Sequence, residues 1–208
     1  MKTLYNEDYY ERGIELGISG YSNYRWIPEL TIPMASRICE ILNISYNETI
    51  LDFGCSKGYL VKAFRLLHRE SYGVDLSDYA INKAPDDIAK YLTCINKPYD
   101  ITGIYDWIIS KDVFEHIPYE NINVWLNILQ KSCKNMFCII PLGDGKKYEI
   151  PDYEKDVSHV IKESLQWWND IFEKNKFTVV KSEYKVKYIK ENWTKWKRGN
   201  GFFTLTSN

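Results

Sequence analysis

The stretch TILDFGCSKG, residues 49–58, decides how the rest of the chain is read. Three apolar residues, Ile50, Leu51 and Phe53, surround one carboxylate, Asp52. A glycine turn follows, then YLVKAFRLLHRE, whose apolar spacing is helical. The order is strand, glycine-rich loop, helix. A second short strand, SYGVD, ends in Asp75. An acidic residue about twenty positions beyond a glycine loop in such a unit is placed to hold a ribose diol. Gly54 and Gly58 carry no Cβ, so the backbone is expected to approach a nucleoside closely there.

The loop is not a dinucleotide fingerprint. That motif reads G-x-G-x-x-G and seats a pyrophosphate on the helix N-terminus, whereas this loop reads G-C-S-K-G. No G-x-x-x-x-G-K-[ST] phosphate loop is present either. LDFGCSKG resembles motif I of class I S-adenosylmethionine-dependent methyltransferases, commonly LDxGCGxG, with Ser56 standing where a glycine is common. The resemblance spans roughly residues 28 to 208 and points to the small-molecule and glycan branch. It implies S-adenosyl-L-methionine as methyl donor and S-adenosyl-L-homocysteine as product. Around the donor it places Asp52, Gly54, Cys55, Ser56, Gly58 and Tyr59, then Asp75 and Leu76.

The same resemblance implies a three-layer, Rossmann-like α/β fold. Its seven-stranded, mostly parallel sheet would run in the order 3-2-1-4-5-7-6, with the last strand antiparallel. The alternation of strand and helix patterns argues independently for a three-layer α/β fold.

YDWIISKDVFEHIP, residues 105–118, carries the second strong signal. Trp107, Ile108 and Ile109 form a continuous apolar run, as in a strand buried on both faces. Ser110, Lys111 and Asp112 follow at its carboxyl end, where open α/β sheets bind ligands. The string resembles the family's fourth motif, which places these three residues against the methionine part of the donor. Glu115 and His116 come one turn later, and His116 is read either as a proton acceptor or as a structural histidine. Near the third strand, YLTC, the family recognises adenine with a polar residue, and Asn96 is the candidate.

The remaining elements fall into order around these two. PELTIPMASRICEIL, residues 28–42, has helical spacing, with Pro33 expected in its first turns. Ser77 or Asp78 is the expected cap of a short helix. YENINVWLNILQKSC reads as a helix, MFCII as a fifth strand ended by Pro141, and SLQWWNDIFEKNKF as a further helix. FTVVKSEYKVKY and GFFTLTS read as the closing strands. Between them, IKENWTKWKRGN is either an acceptor-binding loop, with Trp193, Lys195, Trp196, Lys197 and Arg198, or a solvated hairpin.

Two segments carry the remaining functional expectations. Residues 1–27 hold six aromatics among glycines, including Tyr21 and Tyr24, and form a lid segment ahead of a 28–208 methyltransferase domain. Aromatic faces attract a cation, and the donor is a sulfonium. The long polar stretch after Pro141 is assigned to acceptor binding. It contains Asp156 and His159. His159 is the first candidate for a catalytic base and His116 the second. Asp156 and Ser158 are expected to cap the following helix.

Composition bounds the function. A chain of 208 residues suits one domain with a real core. A net charge of -1 gives no electrostatic case for nucleic acid or an anionic membrane. The DNA amino-methylating string [DNS]-P-P-[YF] is replaced by SKDVF, though ribose or modified-base methylation and a silent cofactor-binding domain stay open. Five cysteines without metal-type pairing, and no leader or long apolar run, read as reduced thiols of a cytoplasmic protein. The three histidines are scattered, and no metal site is expected. The favoured function is methyl transfer to a small molecule or glycan, most simply onto oxygen.

Overall fold

A computed structural model describes residues 4–193 and 195–207. Residues 1–3 of the expected lid segment, Thr194 of the expected loop, and Asn208 lie outside the described residues. Seven strands form one sheet: β1 Thr49–Phe53, β2 Glu70–Asp75, β3 Leu92–Cys94, β4 Tyr105–Lys111, β5 Cys133–Pro141, β6 Phe177–Glu183 and β7 Asn200–Ser207. Their order is β3-β2-β1-β4-β5-β7-β6. The four contacts among β1 to β5 are parallel, and β7 runs antiparallel to both β5 and β6. This is the expected Rossmann-like sheet.

Side-chain alternation explains why the sheet is covered on both faces. Leu51, Phe53 and Ile108 point into one core with Phe114, Trp125, Trp168 and Phe172. That core is covered by α6 (Tyr119–Lys131) and α7 (Leu165–Lys174). Ile50, Trp107 and Ile109 point into the other with Ile38, Phe64, Phe137 and Phe202. That core is covered by α3 (Pro28–Leu42) and α4 (Tyr59–Leu66). Ahead of α3 come two short helices, α1 (Glu7–Glu11) and α2 (Gly13–Leu16); α5 (Asp78–Asn82) follows β2.

Local details differ from expectation at several ends. Pro28, not Pro33, occupies the first turn of α3; Pro33 lies inside the helix. Ser77 caps α5 by accepting from the Ala80 N–H, as expected of that position. The cap of α7 is Ser164, which accepts from the Trp167 N–H. Asp156 and Ser158 are therefore free for another use. Strand β5 starts three residues earlier than MFCII, and β6 ends at Glu183. Among the described residues, no helix is long and apolar enough to cross a membrane.

Register aligns the strand ends that matter. Phe53 pairs with Val74 and Ser110, and Asp75 with Cys94. The carboxyl ends of β1, β2 and β4 thus share one edge, with the loops after them facing the same space.

Candidate functional site

A cavity of about 1080 Å³ opens at that edge. It exceeds the roughly 300–1,000 Å³ typical of ligand pockets, enough for more than one small molecule. Its walls come from the glycine loop, the ends of β2 and β4, residues 5–34, and parts of the loops after β5 and β6. Asp52, Gly54, Cys55, Ser56, Tyr59, Asp75, Leu76, Asn96, Lys111 and Asp112 line it, as do Tyr21, Tyr24, His116 and His159. Gly58 and Ser110 do not line it.

The glycines of the loop serve the fold before any ligand. Gly54 has φ +80° and a Cβ there would lie 2.3 Å from Val113 Cγ2. Gly58 has φ +75° and its Cβ would meet Leu92 Cδ1 at 2.5 Å. Within the protein, the close approaches that demand glycine are to Val113 and Leu92. Ser56 also has positive φ, +52°, which explains why glycine is common at its position. Gly54 and Cys55 donate their N–H groups to the Val74 carbonyl at 2.9 and 3.0 Å, which ties the loop to β2.

Asp75 is held from two sides. Its Oδ2 accepts from the Ser56 N–H and its Oδ1 from the Ser77 N–H, each at 2.7 Å. Burial raises its pKa above the ordinary value, opposed by these backbone donors. Each oxygen keeps a lone pair for a further donor. Asp52 is buried beside it, and its pKa is pushed up to about 8, first by burial and then by Asp75, against the pull of Lys111. Among the described residues, the buried Ser56 hydroxyl has no hydrogen-bond partner.

Residues 4–27 cover this end. Tyr9 and Tyr10 are buried, and Tyr21 and Tyr24 pack with their rings 4.8 Å apart. Lys57, from the glycine loop, reaches the Glu11 carboxylate at 2.5 Å and the Tyr24 carbonyl at 2.8 Å. Ser77 donates to the Tyr5 carbonyl at 2.6 Å. Sequence reasoning passed over Lys57 because a lysine between glycines reads as solvated; only the fold shows its carboxylate partner.

At the other end, a polar cluster joins three chain segments. The turn Phe114–His116 follows β4, and the loop after β5 is clamped to it. Val160 and Ile161 both donate to the Glu115 carbonyl. Tyr9 donates to Asp156 Oδ2 at 2.7 Å, and Ser158 donates to Asp156 Oδ1 at 2.5 Å. His116 Nδ1 lies 2.7 Å from Ser158 Oγ, and His159 Nδ1 lies 2.8 Å from the Tyr153 carbonyl oxygen. The two imidazole rings are 4.5 Å apart. Burial depresses both histidines, His116 to about 4 with His159 adding to the effect. Both are neutral near pH 7 and each offers a lone pair. Burial, then Asp112, holds the Glu115 carboxyl well above the ordinary range.

Asp112 is bound by two ammonium groups, Lys111 at 2.5 Å and Lys190. Burial alone would raise its pKa, but these two cations bring it well below the ordinary range. Lys190 also donates to Tyr153 Oη at 2.7 Å and Asn200 Oδ1 at 3.0 Å. Of the basic-aromatic loop, Trp193 and Lys190 reach the cavity, whereas Lys195, Trp196, Lys197 and Arg198 do not line it. Glu115, Tyr9, Ser158 and Lys190 were not singled out as site residues. Their only signal in the sequence was the position of Glu115 beside His116.

A family model described as a methyltransferase domain matches residues 31–196. Solved structures share the fold. An S-adenosylmethionine-dependent methyltransferase from Clostridium acetobutylicum is 12% identical with a TM-score of 0.62, covering 85% of this chain and 91% of its own. Magnesium protoporphyrin IX methyltransferase from Synechocystis, with bound S-adenosylhomocysteine, is 15% identical with a TM-score of 0.64, covering 100% of both chains. Mitomycin 7-O-methyltransferase is 12% identical with a TM-score of 0.63, covering 95% of this chain and 66% of its own. No curated protein matches the sequence.

Proposed function

This chain belongs to the methyltransferase-domain family, and from that premise we propose that it moves the methyl group of S-adenosylmethionine to a hydroxyl of a small molecule or glycan. The observation that carries the reading is Asp75. Its two oxygens are each fixed by one backbone N–H while facing the cavity, which leaves a pair of acceptor positions spaced for a vicinal diol. The unpartnered Ser56 hydroxyl beside them fits the same occupant.

When bound, the donor supplies an electrophilic methyl carbon on a positively charged sulfur. The protein's share is to hold it and to align the acceptor. In this reading Asp75 grips the ribose, Asn96 stands by the adenine, and the Lys111–Asp112 edge meets the methionine part. Tyr21 and Tyr24 present aromatic faces toward the sulfonium. The segment 1–27 acts as a lid on the 28–208 domain, fastened by Lys57 and Ser77. The His116–His159 end receives the acceptor, whose hydroxyl must lose a proton as the new bond forms. Among the described residues the five cysteines form no disulfide, which accords with a cytoplasmic setting.

Thermal shift with S-adenosylhomocysteine, NAD and ATP tests the donor. Stabilisation by S-adenosylhomocysteine alone is expected, and stabilisation by NAD alone would remove the assignment. Mass spectrometry of metabolites and polysaccharide, with and without the active protein, then identifies the methylated acceptor.

A further inference from the structure

Glu115, His116 and His159 are separated in sequence but meet at the acceptor end of the cavity. Among the described residues, these three bring one donor atom each to within 4.8 Å of one another. All three line the cavity. Their hydrogen bonds fix what each can offer.

Ser158 gives its hydroxyl proton to Asp156, so toward His116 it acts as acceptor and His116 Nδ1 carries the hydrogen. The Tyr153 carbonyl can only accept, so His159 Nδ1 carries a hydrogen as well. Both Nε2 atoms therefore bear lone pairs. His159 Nε2 lies 3.9 Å from Glu115 Oε1 and 4.0 Å from Asp156 Oδ2, too far for a hydrogen bond to either. Glu115 is 0% exposed, and among the described residues neither of its carboxyl oxygens has a hydrogen-bond partner. A buried carboxyl group left this way is costly. Two lone pairs and a buried carboxyl group, which would give up its proton to a bound cation, converge on one gap.

We propose that Glu115, His116 and His159 form a site for a divalent first-row transition-metal cation that binds and activates the acceptor hydroxyl. Two imidazoles with one carboxylate suit Mn²⁺, Co²⁺ or Zn²⁺ better than the harder, all-oxygen cations. Ligand bonds of about 2.1 Å keep two donors within about 4.2 Å of each other, so the cluster draws in by roughly half an ångström on binding. The Ser158 hydroxyl and the Tyr153 carbonyl are the outer partners that orient ligating imidazoles. Because the ligands face the cavity, further coordination positions open toward the acceptor.

The chemistry deepens the function proposed above and rests on it for the acceptor alone. A hydroxyl coordinated to the cation loses its proton to water near neutral pH. Its oxygen then forms the new O–CH₃ bond as the S–CH₃ bond of the donor breaks, and S-adenosylhomocysteine leaves. His116 and His159 act here as ligands, and neither takes the proton.

The test begins with the purified chain stripped by a chelator and titrated calorimetrically with MnCl₂, CoCl₂ and ZnCl₂, with Co²⁺ absorption as a second readout. About one equivalent is expected to bind. Glu115→Gln and His159→Ala should each weaken binding at least about tenfold. His68→Ala, at an exposed histidine away from the cluster, should leave it unchanged. Retained S-adenosylhomocysteine affinity in each variant shows that it is folded. Absence of cation binding by the wild-type chain, or equal binding by Glu115→Gln, overturns the site. In either case S-adenosylhomocysteine binding is read separately, so methyl transfer stands or falls on its own.

Discussion

The Lys57 ammonium sits 2.5 Å from the Glu11 carboxylate, and this contact joins the glycine loop to the N-terminal segment. Lys57 is nearly inaccessible, with its charge also near the Tyr24 and Tyr79 rings at 5.7 and 5.8 Å. Among the described residues, the Tyr79 hydroxyl is the one further side-chain donor to the Glu11 carboxylate. Lys57→Met is expected to cost about 2–3 kcal/mol in urea unfolding, because it leaves a largely desolvated carboxylate short of its cation. Hydrogen exchange should quicken in residues 4–27 more than in the sheet. An equal change everywhere would show that the segment is not fastened there.

Asp75 is the second point of leverage. Its oxygens hold the Ser56 and Ser77 N–H groups, so its removal loosens the loop as well as any bound diol. Asp75→Ala should weaken S-adenosylhomocysteine at least about tenfold by calorimetry, equivalent to about 1.4 kcal/mol. Unchanged affinity would take Asp75 out of the donor site.

These two residues mark the boundary of what the sequence could disclose. The place of Asp75 at the cavity was legible because a carboxylate ending a strand just past a glycine loop lies at the carboxyl edge of the sheet, and the strand–helix alternation is written in apolar spacing. Lys57 was not, because its partner lies on a segment whose path no local pattern fixes. His116 and His159 were each visible as candidates. Their meeting was hidden, since it depends on the irregular loop after β5 folding back onto the Glu115 carbonyl. Asp156 and Ser158 were misread as helix caps because capping residues and hydrogen-bonded buried residues look alike in sequence; Ser164 takes the cap.

Asp52 predicts a pH dependence. Its pKa rises from 3.8 to about 8 on folding, with burial the main cause and Asp75 next. The folded state therefore holds a proton that the unfolded state releases above about pH 4. This contribution to stability is full below that point and is lost as pH rises toward 8, at up to about 1.4 kcal/mol per pH unit. Asp52→Asn cannot ionise, so its stability relative to wild type should improve steadily across the range. Unfolding curves collected without ligand at a series of pH values check this. A constant difference would show that Asp52 is ionised throughout.

Gly54 separates two reasons for a glycine in the loop. If the residue is small so that the donor can approach, an added methyl should block binding whatever its protein neighbours. The geometry instead sets the Cβ at 2.3 and 2.8 Å from the two γ-carbons of Val113. Gly54→Ala should then destabilise by about 3 kcal/mol, combining that overlap with the strain of φ +80°. In a Val113→Ala background the two γ-carbon overlaps disappear, leaving a tight 3.2 Å contact with the remaining Cβ and the backbone strain of about 1–2 kcal/mol. The two substitutions should thus be non-additive by about 1 kcal/mol or more. The double variant should also bind S-adenosylhomocysteine close to wild-type affinity. Strict additivity, or a stable double variant that has lost the ligand, would return the glycine to the donor and remove Val113 from the explanation.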